Sequence, residues 1–312
     1  MSHDVERLVV ILQLTCVMAA MGAKLRPLDF AAVFSRPKSL GWGVLCQFVV
    51  SPLLAWGAVR IGVSDPNMGL GLILVSAMPG GPMSTLFTHL GRGNAALAVS
   101  LTGVTTILSV VTLPITLPLL AGVSAKGLEV PAAVILQETT LFLFLPLGVG
   151  ALIRRFLPNA APFVGRWGVR IGTTLLACYV VASLGSGRIR PGAFGWTPAL
   201  TIIVFCLVNM QVAMLAFRLF HWPPRDRLAV GIELTIRDVN LALLLKTRLE
   251  TTPIDDGRGD PMLYGILFFA GTALVVAAAA SMIFRFLLNP HRPGGQAQPT
   301  PVPTMPTSLN KK

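Results

Sequence analysis

Leu228–Leu245, LAVGIELTIRDVNLALLL, decides how the chain is to be read. The stretch is apolar enough to cross a bilayer, yet it carries Glu233, Arg237, Asp238 and Asn240. Placing one ionised side chain at a bilayer centre costs roughly 2.5–3.5 kcal/mol on insertion scales. The three charges are therefore not expected to face lipid. They are expected to face one another, a protein interior or a water-filled path, and such a cluster is a functional-site hypothesis by default.

The rest of the chain agrees with a membrane reading. Its 312 residues are 54% hydrophobic and 12% charged, with mean hydropathy +0.73; a soluble domain carries about 25% charged residues. Ala95–Ala125 and Pro191–Phe217 contain no Asp, Glu, Lys or Arg, and each exceeds the roughly 20 residues a helix needs to span the hydrocarbon. The alternating segments of about ten residues that mark barrel strands are absent. The expected class is an all-α polytopic membrane protein. A net charge of +12 would suit nucleic acid, but the Lys and Arg residues lie between apolar runs, where they act as topology signals toward a lipid bilayer. Cys16, Cys46, Cys178 and Cys206 sit inside apolar runs with no metal-binding spacing, and read as buried reduced thiols.

Nine hydrophobic segments are expected, at about 7–23, 39–62, 67–90, 95–121, 130–153, 167–186, 196–219, 226–249 and 262–288. Basic connections (Lys24, Arg26, Arg36 and Lys38; Arg92; Arg154, Arg155 and Arg166; Arg218, Arg225 and Arg227; Arg285 and Arg292) alternate with mixed ones (Arg60 with Asp65; Lys126 with Glu129; Arg258 with Asp255, Asp256 and Asp260). Arg188 and Arg190 are exceptions on the mixed side. The positive-inside rule makes the first set cytoplasmic, the N-terminus external and the C-terminus internal. The first segment has a signal-peptide alternative in AAMGA, but its leading residues include Asp4 and Glu6, so a retained helix is expected. Residues 289–312, rich in Pro, Gly, Gln and Thr, read as a disordered cytoplasmic tail, leaving 1–288 as the transmembrane domain.

Segment 3 is the other irregular one. Its Pro79-Gly80-Gly81-Pro82 interrupts backbone pairing where lipid cannot replace it. Each irregular segment lies one segment short of the end of its half, and interrupted helices at corresponding positions point to a transporter's midplane site. A plain kink at Pro79–Pro82 is the bland alternative.

At these residues the chain resembles the bile acid:sodium symporter family. The likeness runs from about Met21 to Phe286 and rests on MGAKLRPLDF with FSRPKSLGWGVLCQFVVSPLLAW, on PGGPMSTLFTHLGRGNAALAVSLTGVTTILS, on IELTIRDVNLALLL, and on Asn209. It implies an inverted repeat with two broken crossing helices. It also implies a panel (helices about 7–23, 130–153 and 167–186) beside a core formed by the remainder. Some members have nine helices. The implied activity is uptake of organic anions, bile acids and smaller carboxylates among them, usually driven by sodium; the expected setting is a bacterial inner membrane.

The coupling residues depart from the resembled pattern. A first sodium site would use Ser84, Thr102 and Glu233, with Thr85 where an Asn and Gly103 where a Ser is usual. A second would use Gln47, Glu233, carbonyls near Leu234 and Ile236, and a Gln that is here Arg237; Asp238 stands where Asn is common. Arginine has five donors, no acceptor and a permanent charge, so it cannot ligate sodium. In a continuous helix, Glu233 and Arg237 would be i,i+4 neighbours. Arg237 is thus expected either as a tethered cation in place of the second sodium, as a fork for a substrate carboxylate, or as a structural ion pair with Glu233 or Asp238. Coupling could then fall to protons at Glu233, Asp238 or Glu138.

Gly80, Gly81, Thr88, Asn209 and Asn240 are the candidate substrate residues, the two glycines through backbone amides at a helix end. The hydroxyls of Thr102, Thr105, Thr106, Ser109 and Thr112 form a stripe of which only Thr102 is promoted. Gln211 reads as interhelical glue, His89 as interfacial, and Lys246 and Arg248 as snorkelling outward. No Ser–His, paired-Asp or H-E-x-x-H arrangement suggests a hydrolase, so no enzyme activity is expected. The alternatives to a coupled transporter are a proton-coupled or uncoupled uniporter and a membrane sensor.

Overall fold

A computed structural model describes residues 3–25, 36–124, 131–249 and 259–287. Its main elements are helices: α1 (His3–Lys24), α2 (Pro37–Gly62), α3 (Pro66–Ala77), α4 (Ser84–Leu90), α5 (Ala95–Ser124), α6 (Ala132–Phe156), α7 (Ala161–Gly185), α8 (Trp196–Leu219), α9 (Pro224–Thr235), α10 (Val239–Leu249) and α11 (Pro261–Leu287). Seven of these, α1, α2, α5, α6, α7, α8 and α11, are long and apolar enough to cross a membrane. The tail 289–312 and the loop charges Arg26, Lys126, Glu129, Asp255, Asp256, Arg258 and Arg292 lie outside the described residues.

The two irregular segments are each split in two. Asp65 caps α3 by accepting from the amides of Asn67 (2.9 Å) and Met68 (3.1 Å), with Pro66 in the first turn. Ten of the helix's 12 residues are buried, as befits an apolar helix surrounded by protein. It stops at Ala77 because the residue before a proline is pushed out of the helical region; Met78 is extended, with ψ 152°. In the second split segment α9 ends at Thr235 and Ile236 is extended, with φ −93° and ψ 107°.

The two breaks cross. Gly81 N donates to Ile236 O and Asp238 N to Pro79 O, both at 2.9 Å, beside a short antiparallel bridge between Gly80 and Arg237. These bonds satisfy backbone groups that hydrocarbon could not. Glycine is required by the close approach: a Cβ on Gly81 would lie 2.6 Å from Arg237 O, and one on Gly80 1.7 Å from a Glu233 carboxylate oxygen.

Two sets of helices surround the crossing. α1 packs closely on α6 and α7; a Cβ on Gly22 would fall 2.0 Å from Leu147 O, and one on Gly150 2.1 Å from Ala19 O, the small-residue contact that lets membrane helices approach. α3 lies against α11, α9 against α8, and α10 packs along α1. α2 and α6 each contain one π-helical turn, Cys46–Val50 and Thr140–Phe144. Such turns are frequent at functional sites, and the first carries Gln47.

Candidate coupling site at the helix crossing

Glu233 comes from the last turn of α9 and is completely buried. Its Oε1 lies 2.5 Å from Thr102 Oγ1 of α5, whose single proton is shared between that carboxylate and Ala98 O of its own helix at 2.9 Å. Ser84, at the start of α4, is buried on the same carboxylate, but its hydroxyl has no well-formed partner, and neither does Glu233 Oε2. Ser84, Thr102 and Glu233 therefore form one cluster from three elements. Thr85 is half-exposed and outside it. Thr105, Thr106 and Ser109 bond backbone carbonyls of their own helix, at Thr102 O and Thr106 O.

Arg237 does not share a helical face with Glu233, because α9 has already ended. Among the described residues no ion pair with N···O within 4 Å joins Arg237 to Glu233 or to Asp238. Instead Arg237 Nη1 donates to Met78 O at 3.2 Å, the same carbonyl that accepts from Gln47 Nε2 at 2.8 Å. The guanidinium lies within electrostatic reach of Glu233, Cys46 and Cys206, is 3% exposed, and keeps Nε and Nη2 without partners. Gln47 Oε1 and Asn209 Oδ1 are likewise buried without donors, Asn209 spending its amide on Leu234 O at 2.8 Å.

Asn240 faces the other way, toward α1, and the Asp238 carboxylate lies against the start of α10 beside it. Asp238 Oδ1 caps α10 through the amides of Asn240 (3.1 Å) and Leu241 (3.4 Å), and the Asn240 carbonyl oxygen accepts from Gln13 Nε2 of α1. Gln13 escaped the sequence reading; its signal is a lone amide in the apolar run VVILQLTC. One expected substrate contact is corrected: the Gly81 amide is taken by Ile236 O. Thr88 is buried, its methyl beside Gly93 in the turn after α4 and its hydroxyl without a protein partner.

The end of the bundle that holds the N-terminus carries two ion networks that the sequence did not announce. Lys246, expected to snorkel, is 0% exposed, with its ammonium 2.5 Å from Asp260 and 3.7 Å from Glu6. Arg188 bridges the same carboxylates at 2.6 Å (Glu6) and 3.0 Å (Asp260), and Tyr179 donates to Glu6 at 2.7 Å. Burial alone would raise the Asp260 carboxyl; Lys246 and Arg188 outweigh it and hold it below the usual carboxylate range. Glu138 is buried rather than interfacial, and pairs with Arg7 (3.0 Å) and Arg248 (2.6 Å). At the opposite end Asp226 gathers Ser39, Asn94 and Arg36. Gln211 and Cys178 are exposed, and Cys16 is only partly covered, against the expectation of buried glue and buried thiols.

Broken helices paired through their backbones around a buried carboxylate define a membrane-transport architecture. The model of the sodium bile acid symporter family matches residues 11–189, and the chain belongs to that family. It is similar to a probable sodium/metabolite cotransporter, BASS1, of the Arabidopsis thaliana chloroplast (27% identical, 78% of this chain, 60% of the relative). It is also similar to an uncharacterised sodium-dependent transporter, YocS, of Bacillus subtilis (27%, 74% of this chain, 71% of the relative), and to the human P3 protein (26%, 83% and 54%). The chain thus spans about 60% of the length of the plant relative. The family match ends before the second broken helix, so Glu233, Arg237 and Asp238 stand on the geometry.

Proposed function

We propose that the protein is a secondary active transporter of organic anions, working by alternating access in a bacterial inner membrane with its N-terminus outside. The chain crosses nine times, counting each broken helix once, in an inverted repeat. A panel of α1, α6 and α7 faces a core that carries both broken helices, and the solute sits between them near Asn209 and Asn240. The observation that carries this reading is the paired crossing of two interrupted helices beside the buried, half-partnered carboxylate of Glu233. The names of the relatives, sodium/metabolite cotransporter and sodium-dependent transporter, support it.

Arg237 acts as a tethered cation in place of a second sodium. Its support is that the guanidinium shares the Met78 carbonyl with Gln47 and lies near Glu233 without pairing to it. Sodium, if it binds, is left with the Ser84, Thr102 and Glu233 oxygens. The test is uptake of radiolabelled cholate and of a short hydroxy-acid into proteoliposomes, with sodium, proton or no gradient, for wild type and Arg237→Gln. Accumulation above the external concentration is expected for wild type, and a stronger sodium requirement for the variant. Equilibration without accumulation in every gradient would make the protein a uniporter, and no flux would favour a sensor.

A further inference from the structure

Where α10 meets α1, two buried oxygens make no well-formed hydrogen bond. Asp238 Oδ1 is used in capping α10 and the Asn240 side chain lies beside the carboxylate, but Oδ2 has no partner of good geometry and the residue is 1% exposed. Gln13, 0% exposed, gives its amide to Asn240 and leaves Oε1 unpartnered. Asn240 joins the two: its backbone amide meets Asp238 while its side chain meets Gln13. A desolvated carboxylate oxygen with nothing to accept from is costly.

No charge among the described residues compensates it. Arg237, next in sequence, points to Met78 O and the Cys46–Cys206 side. Lys24 of α1, Arg154 and Arg155 of α6 and Arg285 of α11 lie in the last turns of their helices, and Asp4 of α1 is exposed. The remaining charged groups on the elements around α10 are Glu6 and Arg7 of α1, Glu138 of α6, Lys246 and Arg248 of α10 itself, and Asp260 before α11. They lie beyond it toward the N-terminal end, paired with one another or with Arg188. Glu233 adds a second negative charge at the crossing, so Glu233, Arg237 and Asp238, when ionised, sum to −1.

We propose that Asp238, Asn240 and Gln13 form a monovalent-cation site on the α1 face of the crossing, separate from the Glu233 cluster. Its occupant is a sodium ion held by the carboxylate and amide oxygens, or a proton on Asp238. The site draws oxygens from both α1 and α10, so it is complete only while those helices are together, and the cation reports their closure. That consequence rests on the transporter reading; the site itself does not.

The experiment is thermal unfolding of the purified full chain in matched sodium, potassium and choline chlorides from about pH 5.5 to 8.5, a range that lies between the ordinary carboxylate and thiol values of about 4 and 8.5. Wild type is compared with Asp238→Asn, Gln13→Leu and Glu233→Gln. Asparagine keeps the helix cap, and Gln13→Leu tests the α1 arm should the first variant fold poorly. A sodium occupant gives wild type a higher Tm in sodium than in choline at the alkaline end. A proton occupant gives no difference between the salts but a Tm that rises as pH falls, since protonation removes the buried charge. In either case the response persists in part in Glu233→Gln, is lost in Asp238→Asn and is weakened in Gln13→Leu. An Asp238→Asn protein that answers sodium and pH as wild type does would overturn the site, as would a wild type that answers neither. Failed uptake beside an intact Asp238-dependent response would sink the transporter reading and leave the site standing.

Discussion

Replacing Lys246 by methionine separates a buried latch from a snorkelling side chain. The change keeps most of the apolar stem and removes the charge. In the structure the ammonium sits 2.5 Å from Asp260 and 3.7 Å from Glu6, with Arg188 on both carboxylates. The network is two cations against two anions, and the lysine is wholly buried. Removing one partner of a buried pair costs about 3–5 kcal/mol, because the remaining charge is left uncompensated. Arg188 still serves both acids, which places the expected loss near the lower end, about 3 kcal/mol. A lysine that reached solvent would cost no more than about 0.5 kcal/mol. Adding Asp260→Asn to Lys246→Met leaves Arg188 with Glu6 as a neutral pair, and asparagine can still accept from Leu263 N, the bond that caps α11. The double variant should therefore recover at least half of the loss. Unfolding in detergent by heat or by SDS titration measures both. A single variant as stable as wild type, or a double variant less stable than the single, would refute the argument.

Three further outcomes follow from the same geometry. Gly81→Ala drives a Cβ to 2.6 Å from Arg237 O, so it should open the crossing, cost about 1–3 kcal/mol and abolish uptake; Gly57→Ala, with nothing within 4 Å of the new methyl, should be close to neutral in both assays. Because the Asp260 carboxyl is held below its ordinary range by Lys246 and Arg188, its contribution is present above the unfolded value of about 4 and is lost only as pH falls through the lower folded value. The difference in Tm between wild type and Asp260→Asn should thus be constant from about pH 8 to 5 and shrink below about pH 4; a difference that shrinks between about pH 8 and 6 would contradict the assigned pairing. Cysteines at Gln13 and Asn240, whose side chains touch, should cross-link in a background lacking the natural cysteines and arrest uptake reversibly. Cross-linking without arrest would show that α1 and α10 need not part during transport.

The class of fold was legible because lipid leaves few options: long uncharged runs must be helices, and Pro79–Pro82 with the Glu233–Asp238 charges had to be irregular. Glu233 with Ser84 and Thr102 was also legible as a set, through the resemblance of the motifs around them. What pattern could not give was direction. Whether Arg237 lies beside Glu233 depends on the helix ending at Thr235, earlier than continuous periodicity suggests, and on the extended backbone at Ile236. Lys246 was misread for a related reason. A lysine near a helix end snorkels when water is in reach, and only the tertiary fold puts Glu6 and Asp260 there instead. Gln13 was overlooked because one amide in a membrane helix carries no chemistry until its partner across the gap is known.

The crossing also explains why Arg237 and Asp238 belong together. The two side chains part at the crossing: the guanidinium goes toward Met78 O, Cys46 and Cys206, while the carboxylate turns to the start of α10, at the amides of Asn240 and Leu241. The resembled pattern, Gln and Asn at these two positions, leaves one negative charge at the crossing, that of the Glu. Arg237 and Asp238 add one positive and one negative charge, so the sum stays at −1 while its distribution changes. Arg237→Gln alone takes the sum to −2, a buried imbalance that should make folding depend on added cation; breaking such a compensation costs about 3–5 kcal/mol. Arg237→Gln with Asp238→Asn returns the sum to −1 and should be more stable than Arg237→Gln alone in choline, with the gap closing in sodium. Unfolding midpoints of the two variants in the two salts decide it. If the second substitution merely adds its own loss to the first, the two residues are independent and the charge balance at the crossing is not what pairs them.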